Sequence, residues 1–196
     1  MNTEVKEAGW KVIKSEYLHR EPWLTVRREC VELPNGNRIP SYYILEYPDW
    51  VNIIAITKEK QFVFVKQYRH GIKETRFELC AGVCEKEDAT PLISAQRELL
   101  EETGYGNGIW EEYMHISPNA STHTNLTHCF LAKDVEKIGE QKLEESEDLS
   151  VHLLSIDEVK ALLFADEIRQ ALMVAPLWKY LSEQAIVFPI MEKITP

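Results

Sequence analysis

The sequence predicts an α/β protein in which helices cover a mixed sheet, with an antiparallel β region ahead of it. Two observations carry that prediction. Residues 1–49 read as short extended runs folded back at Asn35-Gly36. After them, strand-like runs alternate with segments of helical periodicity that carry recognisable caps, the pattern of helices layered on a sheet. A division follows at residues 1–49 and 50–196, the first a strand region and the second the domain with the larger core.

In the N-terminal region, "WKVIKSEYLH" (10–19) and "WLTVRREC" (23–30) are candidate strands, and "CVELPNGNRIPSYYILEY" (30–47) reads as a hairpin. Asn-Gly is a strong hairpin signal because both residues tolerate positive φ. Pro34 and Pro40 beside it suit an exposed or edge position. Such strands alone form a thin layer with little core, so the region is expected to pack on something, a partner subunit being the natural cover.

Further on, "VNIIAIT" (51–57) and "QFVFVKQYR" (61–69) read as strands around the turn "KEK", and "RFELCAG" (76–82) as a strand ending at Gly82. A glycine there lets backbone approach a ligand closely. The next segment is a helix with Thr90 as N-cap, Pro91 in its first turn and Gly104 as its stop. Its apolar stripe is Leu92, Ala95, Leu99 and Leu100, with Glu98, Glu101 and Glu102 expected largely off it. "YMHIS" (113–117), "THCFLAK" (127–133) and "SVHLLS" (150–155) are further strands. Ser155-x-x-Glu158 is a capping box that opens another helix. A last helix is expected from about Asp166, interrupted or kinked at Pro176.

Composition narrows the function. The 196 residues are 44% hydrophobic and 28% charged, ordinary for a globular domain. A net charge of -10 argues against nucleic acid or an anionic membrane as the main partner. An acidic protein can still take a phosphorylated ligand if a metal cation lies between them. No apolar run is long enough to span a bilayer, and the polar start lacks a signal segment, so a cytoplasmic location is expected. Cys30, Cys80, Cys84 and Cys129 fall in neither a CxxC nor a zinc spacing, and read as reduced thiols.

The stretch "QRELLEETGY" (96–105) is poorly suited to its own helix. Like charges at i, i+3 and i+4 cost roughly 0.2–0.5 kcal/mol per pair. The helix C-terminus disfavours anions by roughly 0.3–1 kcal/mol each. A solvated acidic helix end paired with Lys or Arg is the plain reading. Three glutamates beside backbone carbonyls at Ala81-Gly82 instead make a hard-oxygen site, suited to Mg2+ or Mn2+ and not to zinc.

"RELLEETGY" (97–105) resembles the second half of the Nudix box, with Gly82 as its first glycine. Between Gly82 and Arg97 the chain is one residue longer than the family pattern, so the first acidic position is Glu87 or Asp88; Glu87, with an insertion near "DAT", is favoured. "VKQYRHG", "ELCAG", the N-terminal strands and Pro118 are similar to the ADP-ribose pyrophosphatase branch, with Cys80 in place of a proline and Asn119 in place of a glycine. The resemblance runs from about Trp10 to Leu163.

That resemblance implies a Nudix α/β/α sandwich whose N-terminal strands serve a homodimer. It implies that Glu98 and Glu102 bind Mg2+ directly, that Glu101 is a further or water-mediated ligand with a catalytic share, and that Ala81 offers its carbonyl. Arg97 would tie helix to loop, Arg69 would contact a diphosphate and Glu78 would lie near it. A general base is expected from the acidic loop "LEESEDLS", with Glu147 best aligned and Glu144, Glu145 and Asp148 as rivals. Trp23, Trp50 and Tyr68 could stack on a nucleobase, with Trp50 the best placed, although aromatics on strands more often serve core or interface. His123 and His128 could contact substrate; with no third ligand at metal spacing they do not make a zinc site. The implied reaction is Mg2+-dependent hydrolysis of the diphosphate bond of ADP-ribose or a related nucleoside diphosphate sugar. The alternative is a Nudix-like domain that binds such a nucleotide as a sensor. Three intact glutamates and no basic helix-turn-helix favour the enzyme.

Overall fold

The computed structural model describes residues 9–186. The chain forms two compact units: the N-terminal strands up to Pro48 together with Asn119–Asn125, and Asp49–Pro118 together with the chain from Leu126 on. The segment 119–125, which the sequence places within the larger domain, thus clusters with the strands.

The first unit is an antiparallel meander of β1 (Lys11–Glu21), β2 (Leu24–Glu32) and β3 (Arg38–Glu46). The Asn-Gly turn lies between β2 and β3, but only Gly36 takes positive φ, at 84°. Asn35 contributes instead through its side chain, accepting from the Asn37 N–H at 3.0 Å. Beyond β3, Leu45 bridges the segment 119–125, its N–H donating to Thr122 O at 2.8 Å and its carbonyl accepting from Thr124 at 3.1 Å. Val31 is the one buried apolar side chain of this unit among the described residues. The layer is as thin as its composition suggests.

The second unit holds a curled mixed sheet in the order β10-β5-β6-β4-β9-β7, with β8 on β9. Its strands are β4 (Trp50–Thr57), β5 (Phe62–Arg69), β6 (Glu74–Val83), β7 (Tyr105–Gly106), β8 (Ile109–Ile116), β9 (Thr127–Lys137) and β10 (Leu149–Leu154). The pairing β4–β9 is parallel and the rest antiparallel. β4 pairs with β6 over Trp50–Ile53 and then with β5 at Ala55 and Ile56, which forces the curl.

Alternation along β4 builds both cores. Val51, Ile53 and Ala55 pack with Ala95 and Leu99 of helix α1 (Pro91–Thr103). Ile54 and Ile56 pack with Val159 and Leu163 of α2 (Ile156–Phe164) and with Met173, Leu177 and Leu181 of α3 (Ala171–Ile186). Each such side chain contributes about 1.5–3 kcal/mol by leaving water. The caps follow the sequence: Thr90 accepts from Ile93 N, Gly104 takes φ 72°, and both halves of the Ser155–Glu158 box form.

The last helix departs from expectation. It begins at Ala171, not near Asp166, whose φ of 54° places it in the turn after α2. Pro176 sits inside the helix without ending it. A proline has no N–H for the carbonyl four residues back, here that of Leu172. The Asn52 amide on β4 donates to that carbonyl at 2.6 Å. The lost backbone bond is replaced from the sheet, so the helix runs on.

Candidate active site

The acidic helix end lies against β6, and its glutamates are more buried than their polarity suggests. Glu98 and Glu102 share the inward face with Ser94, Ala95, Leu99 and Thr103, only 9% and 4% exposed. This corrects the expectation that they fall off the buried stripe. The reason is local: a Cβ at Gly82 would fall inside the Glu98 carboxylate, so only glycine leaves the space. Glu102 accepts a hydrogen bond from the Ala81 N–H at 3.2 Å.

Burial sets the electrostatics. It pushes the Glu102 carboxyl up to about 7; the charge of Glu98 and, less strongly, of Glu147 adds to it, against hydrogen bonds from the Cys80 thiol and the Ala81 N–H. Burial likewise raises Glu98, opposed by Arg97. Burial and the nearby Glu102 keep the Cys80 thiol protonated, so it serves as a donor.

Arg97 joins this helix to the loop after β6. Its guanidinium reaches Glu98 at 3.0 Å and Glu101 at 3.1 Å on one side, and Val83 O at 3.1 Å and Asp88 at 3.0 Å on the other. The loop acid it selects is Asp88; Glu87, favoured from the sequence, is exposed. Glu101 is half-buried.

A cleft of about 270 Å³ opens beside the cluster, lined by Trp50, Arg69, Ala81, Gly82 and Thr127 among others. Arg69 is held by Glu78, itself 3% exposed, through contacts of 2.5–3.1 Å. That bond raises Arg69 further above its ordinary value and fixes it as a cation. Glu147 is half-buried ahead of β10, accepting from Glu144 N at 2.9 Å, whereas Glu144, Glu145 and Asp148 are exposed. Trp23 is exposed in the turn between β1 and β2, and Tyr68 is exposed on β5. His123 lies against Tyr47 in the N-terminal unit.

Sequence reasoning missed Asn52, Thr127 and Gln170 in the cleft wall. Asn52 Oδ1 and Thr127 Oγ1 are buried with no hydrogen-bond partner among the described residues, a pattern that commonly marks a ligand or water position. Nothing in the strand pattern distinguishes them from core positions.

The NUDIX domain profile matches residues 46–175, more than half of the chain. The chain belongs to the Nudix family. Ahead of that domain, residues 10–45 match the nucleoside diphosphate sugar hydrolase N-terminal domain. The Nudix chain is 33% identical over 149 residues to the methanol dehydrogenase activator of Bacillus methanolicus, covering 76% of this chain and 80% of that one. It is 30% identical over 168 residues to the ADP-ribose pyrophosphatase of Bacillus subtilis strain 168, covering 85% and 90%. The crystal structure of an ADP compounds hydrolase superposes with a TM-score of 0.78 at 21% identity, covering 90% of this chain and 96% of that one, which establishes the shared α/β/α fold. The protein is thus a Nudix hydrolase. Among the described residues, no helix is long and apolar enough to cross a membrane.

The acidic face fits the divalent cation that Nudix hydrolases use. Its donors are hard oxygens, its two inner carboxylates are buried, Glu98 in a hydrogen bond with Arg97, and Gly82 leaves the cradle open.

Proposed function

We propose that this protein hydrolyses the diphosphate bond of ADP-ribose or a related nucleoside diphosphate sugar, with Mg2+ as cofactor and Mn2+ as a substitute. The products are a nucleoside monophosphate and a sugar phosphate. The observation that carries this reading is the pair of buried glutamates, Glu98 in the space left by Gly82 and Glu102 on the Ala81 N–H.

Glu98, Glu102, Glu101 and the Ala81 carbonyl would hold Mg2+, which when bound neutralises phosphate charge and acidifies water. Arg69, oriented by Glu78, donates to the diphosphate oxygens. Trp50 packs the base against the cleft wall. Arg97 holds the glutamate helix in register with the loop after β6. Glu147 takes the proton from the attacking water as the new oxygen–phosphorus bond forms and the bridging phosphorus–oxygen bond breaks. Its electrostatic reach to Glu102 favours it over Glu144, Glu145 and Asp148.

We assign the N-terminal sheet to a homodimer, since Val12, Ile13, Tyr17 and Leu18 leave apolar surface exposed along β1, with Trp10 just ahead of it. Four free thiols suit a reducing cytoplasm. The test is a panel of nucleoside diphosphate compounds incubated with and without Mg2+, each product identified. AMP and ribose 5-phosphate released from ADP-ribose only with Mg2+ is the expected result. Tight binding with no cleavage of any compound would replace the enzyme with a sensor.

A further inference from the structure

A second constellation lies on the β8–β9 edge, built from residues the hydrolytic site does not use. His115 and His128 are direct cross-strand partners, with ring centroids 4.8 Å apart. Glu112 Oε1 stands 2.6 Å from His115 Nε2 and 3.9 Å from His128 Nδ1. In a regular strand Glu112 and His115 would point to opposite faces. The β8 register slips between Glu112 and Met114, leaving Tyr113 as an extra residue. That bulge reverses the parity and brings both side chains to one face, as bulges do when they re-aim a side chain.

The third ligand position is prepared from behind. His128 Nε2 bonds Asp49 Oδ2 at 2.9 Å, which fixes the ring and leaves Nδ1 directed at the cluster. Nδ1 is buried with no hydrogen-bond partner among the described residues. A carboxylate behind one imidazole nitrogen, with the other free, is the usual arrangement of a metal-ligating histidine. Ligand atoms from all three residues lie within 4.8 Å of one another. The two distances to Glu112 bracket the edge of about 3.3 Å expected for a tetrahedron with bonds near 2.0–2.1 Å. Glu112 and His115 are half exposed, so the small shifts needed meet little resistance.

We propose that Glu112, His115 and His128 bind a zinc ion, with Asp49 orienting His128. Two imidazole nitrogens and one carboxylate oxygen select a borderline transition metal, not Mg2+. Three protein ligands leave a fourth position for water or an anionic group. The sequence reading that excludes zinc at His128 counts only His123 beside it; under this proposal the further ligands come from β8. His128 and Asp49 are chain neighbours of Thr127 and Trp50 in the cleft wall, so the ion would brace that wall from outside.

The test is zinc uptake by the full chain in saturating Mg2+, measured by equilibrium dialysis, with Co2+ absorption as a probe of tetrahedral nitrogen and oxygen coordination. One equivalent should bind, and His115→Ala and Glu112→Gln should each weaken it by about tenfold or more. Both residues are exposed, so both variants should fold and keep Mg2+-dependent hydrolysis. The Glu98→Gln/Glu102→Gln double variant should bind zinc as the wild type does. Equal uptake by wild type and His115→Ala, or loss of uptake in the double variant alone, would overturn the site. Neither outcome depends on which substrate is cleaved.

Discussion

On the α2/α3 face of the sheet, Ile54, Phe64, Leu79 and Leu177 are enclosed by other apolar side chains. On the α1 face, Ile53, Ala95 and Leu99 give way within one helical turn to Glu98 and Glu102. Both faces are supplied by the same alternating strand. The difference shows where stability and chemistry part: one face buries what favours folding, the other buries charge that opposes it. Buried ionisable groups shifted by desolvation, placed beside a cleft, mark a functional site.

The sharpest way to break this comparison is Glu98→Gln. Activity with Mg2+ should fall about a thousandfold, on the order of 4 kcal/mol. The melting temperature should hold or rise, because a desolvated charge has been removed. Steady-state kinetics and thermal melts of one preparation test both halves. A variant that keeps its activity, or loses both activity and stability, would reduce the α1 face to ordinary core.

The pH dependence of stability sharpens the same contrast. Folding raises the Glu102 carboxyl from 4.5 to about 7. Below pH 4.5 both states hold the proton. Between 4.5 and 7 the unfolded chain has released it while the folded chain keeps it, so stability falls as pH rises through that window, then levels off. The loss should approach about 3 kcal/mol, read from urea midpoints in chelator. Saturating Mg2+ should flatten the slope by holding the carboxylate ionised. A flat profile without metal would show that Glu102 is solvated.

Glu147→Gln probes the edge of the charged region. Turnover should drop about a hundredfold while Mg2+ affinity changes little. Glu144→Gln, Glu145→Gln and Asp148→Asn should leave turnover near normal. A larger loss in one of those three would move the base.

How far these differences could be read from sequence depends on the range of the interactions. Thr90, Pro91, Gly104 and the Ser155–Glu158 box act within a few residues, and they bracketed α1 and opened α2 as expected. The glutamate triad was legible by spacing, but its burial was not, since helical periodicity treats Glu98 and Glu102 as polar and cannot see the space at Gly82. The choice of Asp88 over Glu87 depended on which loop residue Arg97 reaches. The Glu112–His115 contact needed the bulge at Tyr113, and bulges have no reliable signature in a single strand. Asp166 resembles a helix start but takes positive φ in the turn after α2; Pro176 resembles an interruption, but α3 is completed there by a residue far away in the chain.

That residue, Asn52, offers the finest test of the apolar face. Asn52→Ala leaves the Leu172 carbonyl without its donor. The expected cost is about 1–3 kcal/mol, that of an unsatisfied buried carbonyl. Pro176→Ala would restore a backbone N–H to the same carbonyl. In that background Asn52→Ala should cost measurably less, so the two substitutions should couple favourably in a double-mutant cycle followed by urea unfolding. Strict additivity would mean that Asn52 contributes by packing alone. Coupling would mean that the proline persists in α3 because the sheet supplies the bond it lacks, and that the helix end lining the cleft is fixed by the strand that carries Trp50.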